Sequence, residues 1–354
     1  SCDALANVTI SDGVESIGDS AFEFCDGLTS IVIPDSVTSL GNRAFFYSAL
    51  KDIKLSNNLT GIGSYTFYKC TGLKKIVIPN SVTSISENAF EDCTSLESVS
   101  IPNSVKAIGS SAFKSCDGLT SVVITESVTS IGDHAFDGCA GLTSVEIPES
   151  VTSIGDYSFY KCTGLKKIVI PNSVTSIGDS VFKSCAGLTS VVIPESVTSI
   201  GDSAFSDCAN LANVTIPNSV TSIGQWAFGS CDSLTSIVIP NSVTSIGDYS
   251  FANCEKLENV TLSGNLTKIA KDSFCGCTGL ASIIIPESVT SIDDCAFEGC
   301  AGLTSITIQN SSIKIYYSAF RNCYNLKDIY FAGSPEEWRA IIISDADING
   351  AAVH

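Results

Sequence analysis

LTSVVITESVTSIGDHAFDGC, residues 119–139, is the stretch that decides the fold, because close copies of it run along the chain in both directions. A phenylalanine marks each copy, and it falls at Phe22, Phe45, Phe67, Phe90, Phe113, Phe136, Phe159, Phe182, Phe205, Phe228, Phe251, Phe274, Phe297 and Phe320. Every step is 23 residues except the step from Phe45 to Phe67, which is 22. A fixed period of this length is typical of a solenoid, in which each repeat forms one rung.

Each copy contains the signals of two short extended segments and one turn. Val122–Ile124 is β-branched and predicts a strand, and a proline ends this segment in most other copies. A second extended piece covers 127–131. Gly132 then supplies a permissive turn, and Asp133 lies where a helix N-cap would be, so a single turn of helix or 3₁₀ is expected before Cys139.

One repeat is too small to fold alone, because ordering its backbone costs more free energy than its few apolar side chains gain on burial. Stacking supplies the difference, since each rung covers the apolar face of its neighbour and shares strand hydrogen bonds with it. We therefore expect a single curved array of fourteen to fifteen rungs.

The composition of the 354 residues narrows the classes of function. The chain is 44% hydrophobic and 16% charged, and its formal net charge is −18. Such an acidic chain disfavours non-specific binding to nucleic acid or to anionic membranes. Apolar runs such as Ile283–Ile285 and Ile341–Ile343 are far shorter than the ~20 residues of a membrane span, so no direct membrane insertion is expected.

The repeated pattern L-x-x-I-x-I-P-x-x-V-x-x-I-G-x-x-A-F-x-x-C resembles the leucine-rich repeat of BspA-like surface proteins. The copy from Leu188 to Cys208 fits it throughout. The rung from Phe45 to Leu59 is one residue short and carries Ser48 near the cysteine position. The last rungs replace the glycine with Ala270, Asp293 and Tyr316.

The resemblance implies a right-handed leucine-rich-repeat superhelix. A parallel β-sheet would lie on its concave side, with short strands and single-turn helices on its convex side. The resemblance also implies a cell-surface or secreted protein, from bacteria or some protists, that binds host proteins or other cells.

Two segments are expected, an array over 1–330 and a C-terminal capping segment over 331–354. The array begins in mid-repeat at Cys2, so a trimmed or processed chain is expected. In the capping segment, 334–337 reads as a helix start with an N-cap serine, an N1 proline and a capping-box glutamate. Trp338, Ile341 and Ile342 would then cover the last rung.

Thirteen of the sixteen cysteines recur three residues after the phenylalanine: Cys25, Cys70, Cys93, Cys116, Cys139, Cys162, Cys185, Cys208, Cys231, Cys254, Cys277, Cys300 and Cys323. Cys2 is in phase with them. Stacking places them about 5 Å apart, where buried free thiols are favoured over serial disulfides or a metal site. Cys275 and Cys295 are out of phase and lie on adjacent rungs, so a local disulfide between them is the alternative.

Residues that could carry chemistry are scarce. The repeated aspartates Asp19, Asp133, Asp156, Asp179, Asp202 and Asp248 could form a calcium column, but N-caps and turn acceptors are the favoured interpretation. The chain has two histidines, His134 and His354, and no nucleophile–base arrangement follows from either. No enzyme activity, cofactor or metal is predicted.

The outward positions of the concave strands are the best candidates for binding. They carry an aliphatic stripe, Val32, Val77, Val123, Val169, Val192, Val238 and Ile284, and two basic clusters, Lys51, Lys54, Lys74 and Lys75 together with Lys166 and Lys167. We expect a monomer that binds extracellular proteins or glycans there. The alternative is a structural spacer or a variable display array, since 67–85 and 159–177 are identical and the second lysine pair can be a copy.

Overall fold

The computed structural model describes residues 4–341, 348 and 350–354. It contains two compact units, Ser1–Val174 and Thr175–His354. The strands of the first unit are β1 (Ser16–Ile17), β2 (Ser30–Val32), β3 (Ser39–Leu40), β4 (Asp52–Lys54), β5 (Ser98–Ser100), β6 (Ala107–Ile108), β7 (Ser121–Val123), β8 (Ser130–Ile131), β9 (Ser144–Glu146), β10 (Ser153–Ile154) and β11 (Lys167–Val169).

The second unit repeats the same alternation of a longer and a shorter strand. Its elements are β12 (Ser176–Ile177), β13 (Ser190–Val192), β14 (Ser199–Ile200), β15 (Asn213–Thr215), β16 (Ser222–Ile223), β17 (Ser236–Val238), β18 (Ser245–Ile246), β19 (Asn259–Thr261), β20 (Lys268–Ile269), β21 (Ser282–Ile285), β22 (Ser291–Ile292), β23 (Ser305–Ile308), β24 (Lys314–Ile315), β25 (Asp328–Phe331), helix α1 (Pro335–Ala340) and β26 (Ala352–Val353).

Each strand pairs in parallel with its equivalent in an adjacent rung, so every unit is a parallel β-solenoid. In the first unit β5, β7, β9 and β11 pair in sequence order, and Val122 lies opposite Val99 and Val145. The strands of three or four residues are called front strands below, and those of two residues are called side strands. The predicted leucine-rich-repeat fold class is confirmed.

A column of stacked phenylalanines fills the core of each unit. The rings from Phe22 to Phe159 stack with centroids 5.1–5.5 Å apart, and those from Phe182 to Phe320 with centroids 5.4–5.6 Å apart. From Phe45 to Phe297 these rings are fully buried. The period of the sequence therefore appears as a continuous aromatic contact within each unit.

The predicted single-turn helices are wrong, because these segments are turns with alternating backbone conformations. His134 has φ +55° and Gly138 has φ +76°, whereas a helix needs negative φ throughout. Every second amide leaves the turn and bonds to the next rung: the N–H groups of residues 134, 136 and 138 donate to the C=O groups of residues 156, 158 and 160 at 2.7–2.9 Å. The bonds that would close a helix are used to stack rungs instead.

Gly132 also has a different role from the predicted one, which was a permissive turn. Its φ lies outside the left-handed region, but a Cβ on it would lie 2.6 Å from the backbone nitrogen of Ser110. The glycine is required because the preceding rung approaches so closely.

Two elements, helix α1 and strand β26, follow the last front strand of the second unit, and the predicted capping of the array by this segment stays a prediction. Helix α1 has the predicted capping box, with the Ser334 hydroxyl accepting from the Glu337 N–H and the Glu337 carboxylate accepting from the Ser334 N–H. Trp338 packs edge-on against Phe331, and β26, which the sequence did not predict, pairs with β25. The predicted contact of Ile342, like the predicted position of Cys2, lies outside the described residues.

Candidate functional site

The front strands present an exposed face of outward side chains, called the front face below. Burial alternates along each strand, so that in β7 the side chain of Val122 is buried and that of Val123 is 58% exposed. The other members of the predicted aliphatic stripe are also 56–81% exposed: Val32, Val77, Val169, Val192, Val238 and Ile284. The stripe thus lies on the surface as the pattern of the sequence indicates.

All six candidate lysines lie on the front face and are exposed. Lys51 and Lys54 belong to the rung of β4, and Lys74 and Lys75 belong to the following rung. Among residues 4–341, 348 and 350–354, no carboxylate lies within 4.0 Å of the ammonium group of any of the six. The structure therefore brings four cations without ion-pair partners onto two neighbouring rungs.

The front strands are interrupted between β4 and residues 73–78. The sheet formed by β2 and β4 ends at β4, and within the described residues no backbone hydrogen bond joins 51–55 to 73–78. On its other side, 73–78 is held by one bridge, Lys75 to Ser98, and by the hydrogen bond from the Glu97 N–H to the Lys74 C=O (3.0 Å). This interruption lies next to the one rung that is 22 residues long, whereas the breaks between β15 and β17 and between β19 and β21 occur where the rungs have 23 residues.

The identical segment at 159–177 shows that this interruption does not come from the sequence of the strand itself. There the same Lys-Ile-Val forms β11, which pairs with β9 through Lys167, Ile168 and Val169. The exposed fraction of Val77 is 81%, against 56% for Val169. The two lysine pairs therefore occupy different surroundings although their own residues are the same.

A groove of about 500 Å³ lies beside the interrupted strand. Its lining includes Asn57, Lys75, Val77, Asn80, Ser98 and Ser100. Asn57 is held at one end by Asp35, whose carboxylate accepts from the backbone N–H (2.9 Å) and from Nδ2 (3.2 Å) of Asn57. These two hydrogen bonds, the backbone one first, lower the pKa of Asp35.

Sequence reasoning located the lysines but missed this groove. The signal in the sequence that marks its place is the 22-residue step between Phe45 and Phe67. Asn57 and Asn80 occur in polar turns, where side chains of this kind are common, so nothing in the pattern marked them as site residues.

A second surface feature lies on the turn side of the same rungs. Five aromatic side chains form a cluster there: Phe24, Phe46, Tyr47, Tyr65 and Tyr68. Phe46 is stacked between Tyr68 (centroids 4.8 Å apart) and the guanidinium of Arg43 (4.1 Å from the ring centroid). Sequence reasoning did not predict this cluster, because its members come from three different rungs.

The cysteine ladder is buried in the core. The Cys139 thiol donates to the C=O of Phe113 in the preceding rung (3.1 Å), and the same bond recurs from Cys70 onward. Burial raises the pKa of Cys70 to about 12, so the thiolate needed for metal binding or oxidation is scarce. The ladder is part of the core.

Cys275 and Cys295 are only partly buried, and both are free thiols in the structure. Burial, followed by nearby carboxylates, raises the pKa of Cys275 to about 11. The pKa of Cys295 rises to about 12, mainly by burial and by its hydrogen bond to Glu298. A disulfide between them stays a prediction.

Asp19, Asp133, Asp179 and Asp202 accept hydrogen bonds from a backbone N–H of the next rung rather than capping their own turn. The Asp133 carboxylate accepts from the backbone N–H of Asp156 (3.0 Å), and that of Asp19 accepts from Asn42 (2.7 Å). His134 contacts Asp137 (2.9 Å) and stacks on Tyr157. Throughout the described part of the chain, no three His, Cys, Asp or Glu side chains group as metal ligands would.

The last front strand, which the sequence distinguishes by Lys327, Asp328 and Tyr330, is partly used inside the molecule. Asp328 lies 2.9 Å from the His354 ring, and Tyr330 stacks on that ring. These contacts fasten β26 to β25, so this strand offers less free surface than the rungs around Val77.

Stacked parallel rungs with an exposed strand face define the class of leucine-rich-repeat solenoids. The BspA type leucine rich repeat region, in six copies, matches residues 1–120, 106–235 and 223–346, so the chain belongs to the BspA-type leucine-rich repeat family.

Two solved structures show how closely relatives resemble the chain. A leucine-rich repeat protein from Bacteroides ovatus is 31% identical, with 98% of this chain and 89% of that protein covered and a TM-score of 0.85. A leucine rich cell surface protein from Faecalibacterium prausnitzii is 35% identical, with 95% and 88% covered and a TM-score of 0.54. The comparison with curated proteins gives no significant match. Among the described residues, no helix is long and apolar enough to cross a membrane.

Proposed function

We propose that the chain is a non-catalytic protein-interaction module, at the cell surface or secreted, that binds extracellular partners through its front face. The observation that carries this proposal is the exposed aliphatic stripe beside unpaired lysines. Within each unit these apolar side chains are more than half exposed and recur at one strand position on every second rung, with Lys54, Glu146 and Thr215 among the residues between them. Exposed apolar side chains that recur along one face in this way offer contact points for a partner. A relative with 35% identity is described as a cell surface protein, which supports the location.

The competing function is a spacer or display array that has no specific ligand. The near-identity of many copies favours it, since a ligand site usually requires locally distinct residues. The different surroundings of Lys75 and Lys167 favour binding, because they make the surface around Lys75 locally distinct although its sequence is repeated around Lys167. Binding therefore explains more of the surface than spacing does.

A binding screen separates the two functions. The purified chain is tested against extracellular-matrix proteins and a glycan panel, beside a front-face variant in which Val77, Val123 and Val238 are replaced by aspartate. The control variant carries Lys161→Glu and Lys271→Glu, two exposed changes on the turn side. We expect partners that bind the parent and the control but not the front-face variant. Absence of any partner, or equal binding by all three proteins, would overturn the proposal.

A further inference from the structure

The groove beside Val77 has properties that point to a particular class of partner. We propose that it binds an extended acidic segment of a partner protein, an inference that rests on the proposed function of the front face as a protein-binding surface.

The charge of the site selects an anionic ligand. Lys75 lines the groove, and Lys51, Lys54 and Lys74 lie on the same two rungs; none of the four has an ion-pair partner within 4.0 Å among the described residues. The carboxylates beside them belong to Asp52, Glu97 and Asp35, the last of which interacts electrostatically with Lys54, so four positive charges face three negative ones. On a chain with a net charge of −18, this is a local excess of positive charge. Such an excess attracts carboxylates and accelerates their association.

The floor of the groove selects a peptide over an anionic polysaccharide. Val77 is 81% exposed, the largest exposed fraction among the large hydrophobic side chains that the structure describes. Covering it gains hydrophobic free energy only if the ligand brings apolar side chains of its own. A segment that alternates acidic and apolar residues places its carboxylates near the lysines and its apolar side chains on Val77.

The interruption of the front strands favours an extended backbone in the ligand. Residues 76–78 form no hydrogen-bonded ladder with β4. Their rung pairs with β5 only through the single bridge between Lys75 and Ser98. Ser98, Ser100, Asn57 and Asn80 add hydroxyl and amide groups along the groove. The rung of residues 73–78 lies between two stacked rungs, with Phe67 5.5 Å from Phe45 and 5.1 Å from Phe90, so a ligand lies across the face and meets these side chains rather than adding a strand. An extended peptide presents alternate side chains to such a face.

Each groove residue within 67–85 has an identical counterpart in 159–177, which serves as a matched control. Lys74, Lys75 and Val77 have identical counterparts in Lys166, Lys167 and Val169, which lie on the fully paired strand β11. In the first unit, the rung before β11 offers Thr143, Ser144 and Glu146 in place of further lysines. Only the first copy should bind.

The test measures fluorescence polarisation of a labelled eight-residue peptide that alternates Asp or Glu with Val, at low and at physiological salt. Comparison peptides replace the acids with Asn and Gln, or replace Val with Ser. We expect the acidic–apolar peptide to bind at least tenfold more tightly than either. We also expect Lys74→Gln with Lys75→Gln, and separately Val77→Ser, to weaken it at least fivefold.

The matched variants Lys166→Gln with Lys167→Gln, and Val169→Ser, should leave the affinity within twofold of the parent. Equal weakening by both sets would overturn the proposal, because it would show non-specific attraction. Heparin that binds the same site more tightly than the peptide, with no loss in Val77→Ser, would also overturn it in favour of an anionic polysaccharide. If no peptide binds while the screen yields partners lost in the front-face variant, this inference fails and the proposed function stands.

Discussion

Replacing Gly132 with alanine should destabilise the array, while the same change at Gly18 should not. Both glycines occupy the same position of the repeat, four residues before the phenylalanine. A Cβ added at Gly132 would lie 2.6 Å from Ser110 N, 2.8 Å from Gly109 C and 2.9 Å from Ser110 Cα, all backbone atoms of the preceding rung. At Gly18, nothing lies within 4 Å of the added Cβ.

The magnitude follows from the displacement that the clash requires. Ordinary van der Waals contact begins at 3.4 Å, so residue 132 must move by about 0.8 Å. That movement stretches the bond from the Gly132 N–H to the Ile108 C=O beyond its present 2.9 Å. Overpacking costs about 1–3 kcal/mol and the weakened hydrogen bond about 0.5–1.5 kcal/mol, offset by about 0.4–1 kcal/mol from the stiffer unfolded chain. We expect a net loss of about 2 kcal/mol.

The measurement is urea unfolding followed by circular dichroism for the parent and both variants, with hydrogen exchange to locate the weakened rungs. Gly18→Ala should be neutral or stabilising by up to about 1 kcal/mol, since only the unfolded-state effect remains. The reasoning is refuted if Gly132→Ala is as stable as the parent, or if Gly18→Ala loses as much as Gly132→Ala does.

Three further predictions concern the core and the titrating groups. Phe136→Ala should lower the free energy of unfolding by about 3–5 kcal/mol, because the ring is fully buried between two stacked neighbours; a loss below about 1 kcal/mol in urea unfolding would contradict the stacked core. Replacing Cys275 and Cys295 by serine should lower by two the number of thiols that react with a thiol reagent in native protein above pH 9. In the denatured, reduced parent protein all sixteen cysteines should react. Fewer than sixteen reactive thiols in denatured parent protein without reductant would indicate a disulfide. The hydrogen bond to Asp272 raises the pKa of Tyr249 to about 12, so the phenol stays neutral in the folded state when the pH passes the ordinary value of 10.0. The stability that this bond contributes is fully present below pH 10 and is lost as the pH rises through 12. Ultraviolet titration of the parent minus Tyr249→Phe should show that late midpoint, and a midpoint near the ordinary value of 10 would exclude the bond.

The period of the sequence was sufficient to predict the fold class, the buried cysteine ladder and the outward direction of Val123. These features depend on side-chain alternation and on repetition, both of which are visible in the residues themselves. The helix start at Ser334 was predictable for the same reason, because a capping box is a local arrangement.

The features that sequence reasoning missed depend on contacts between rungs. The turns around His134 are not helical, since half of their amides bond to a neighbouring rung, and no local pattern records that choice. The groove beside Val77 lies where residues 73–78 lack the ladder that the identical residues of β11 form, so identical sequences differ in their strand pairing. The partner β26 of the last front strand was missed because two residues carry too little signal to predict a strand.

The inter-rung hydrogen bonds of the turns have a mechanical consequence. Within each unit, the bonds from residues 134, 136 and 138 and the strand ladders all run along the direction in which rungs stack. A force applied along that direction pulls these bonds open one rung at a time, and each released repeat of 23 residues lengthens the chain by roughly 76–83 Å when fully extended. A unit under tension should therefore unfold in equal steps of one repeat each, which single-molecule force measurements would record.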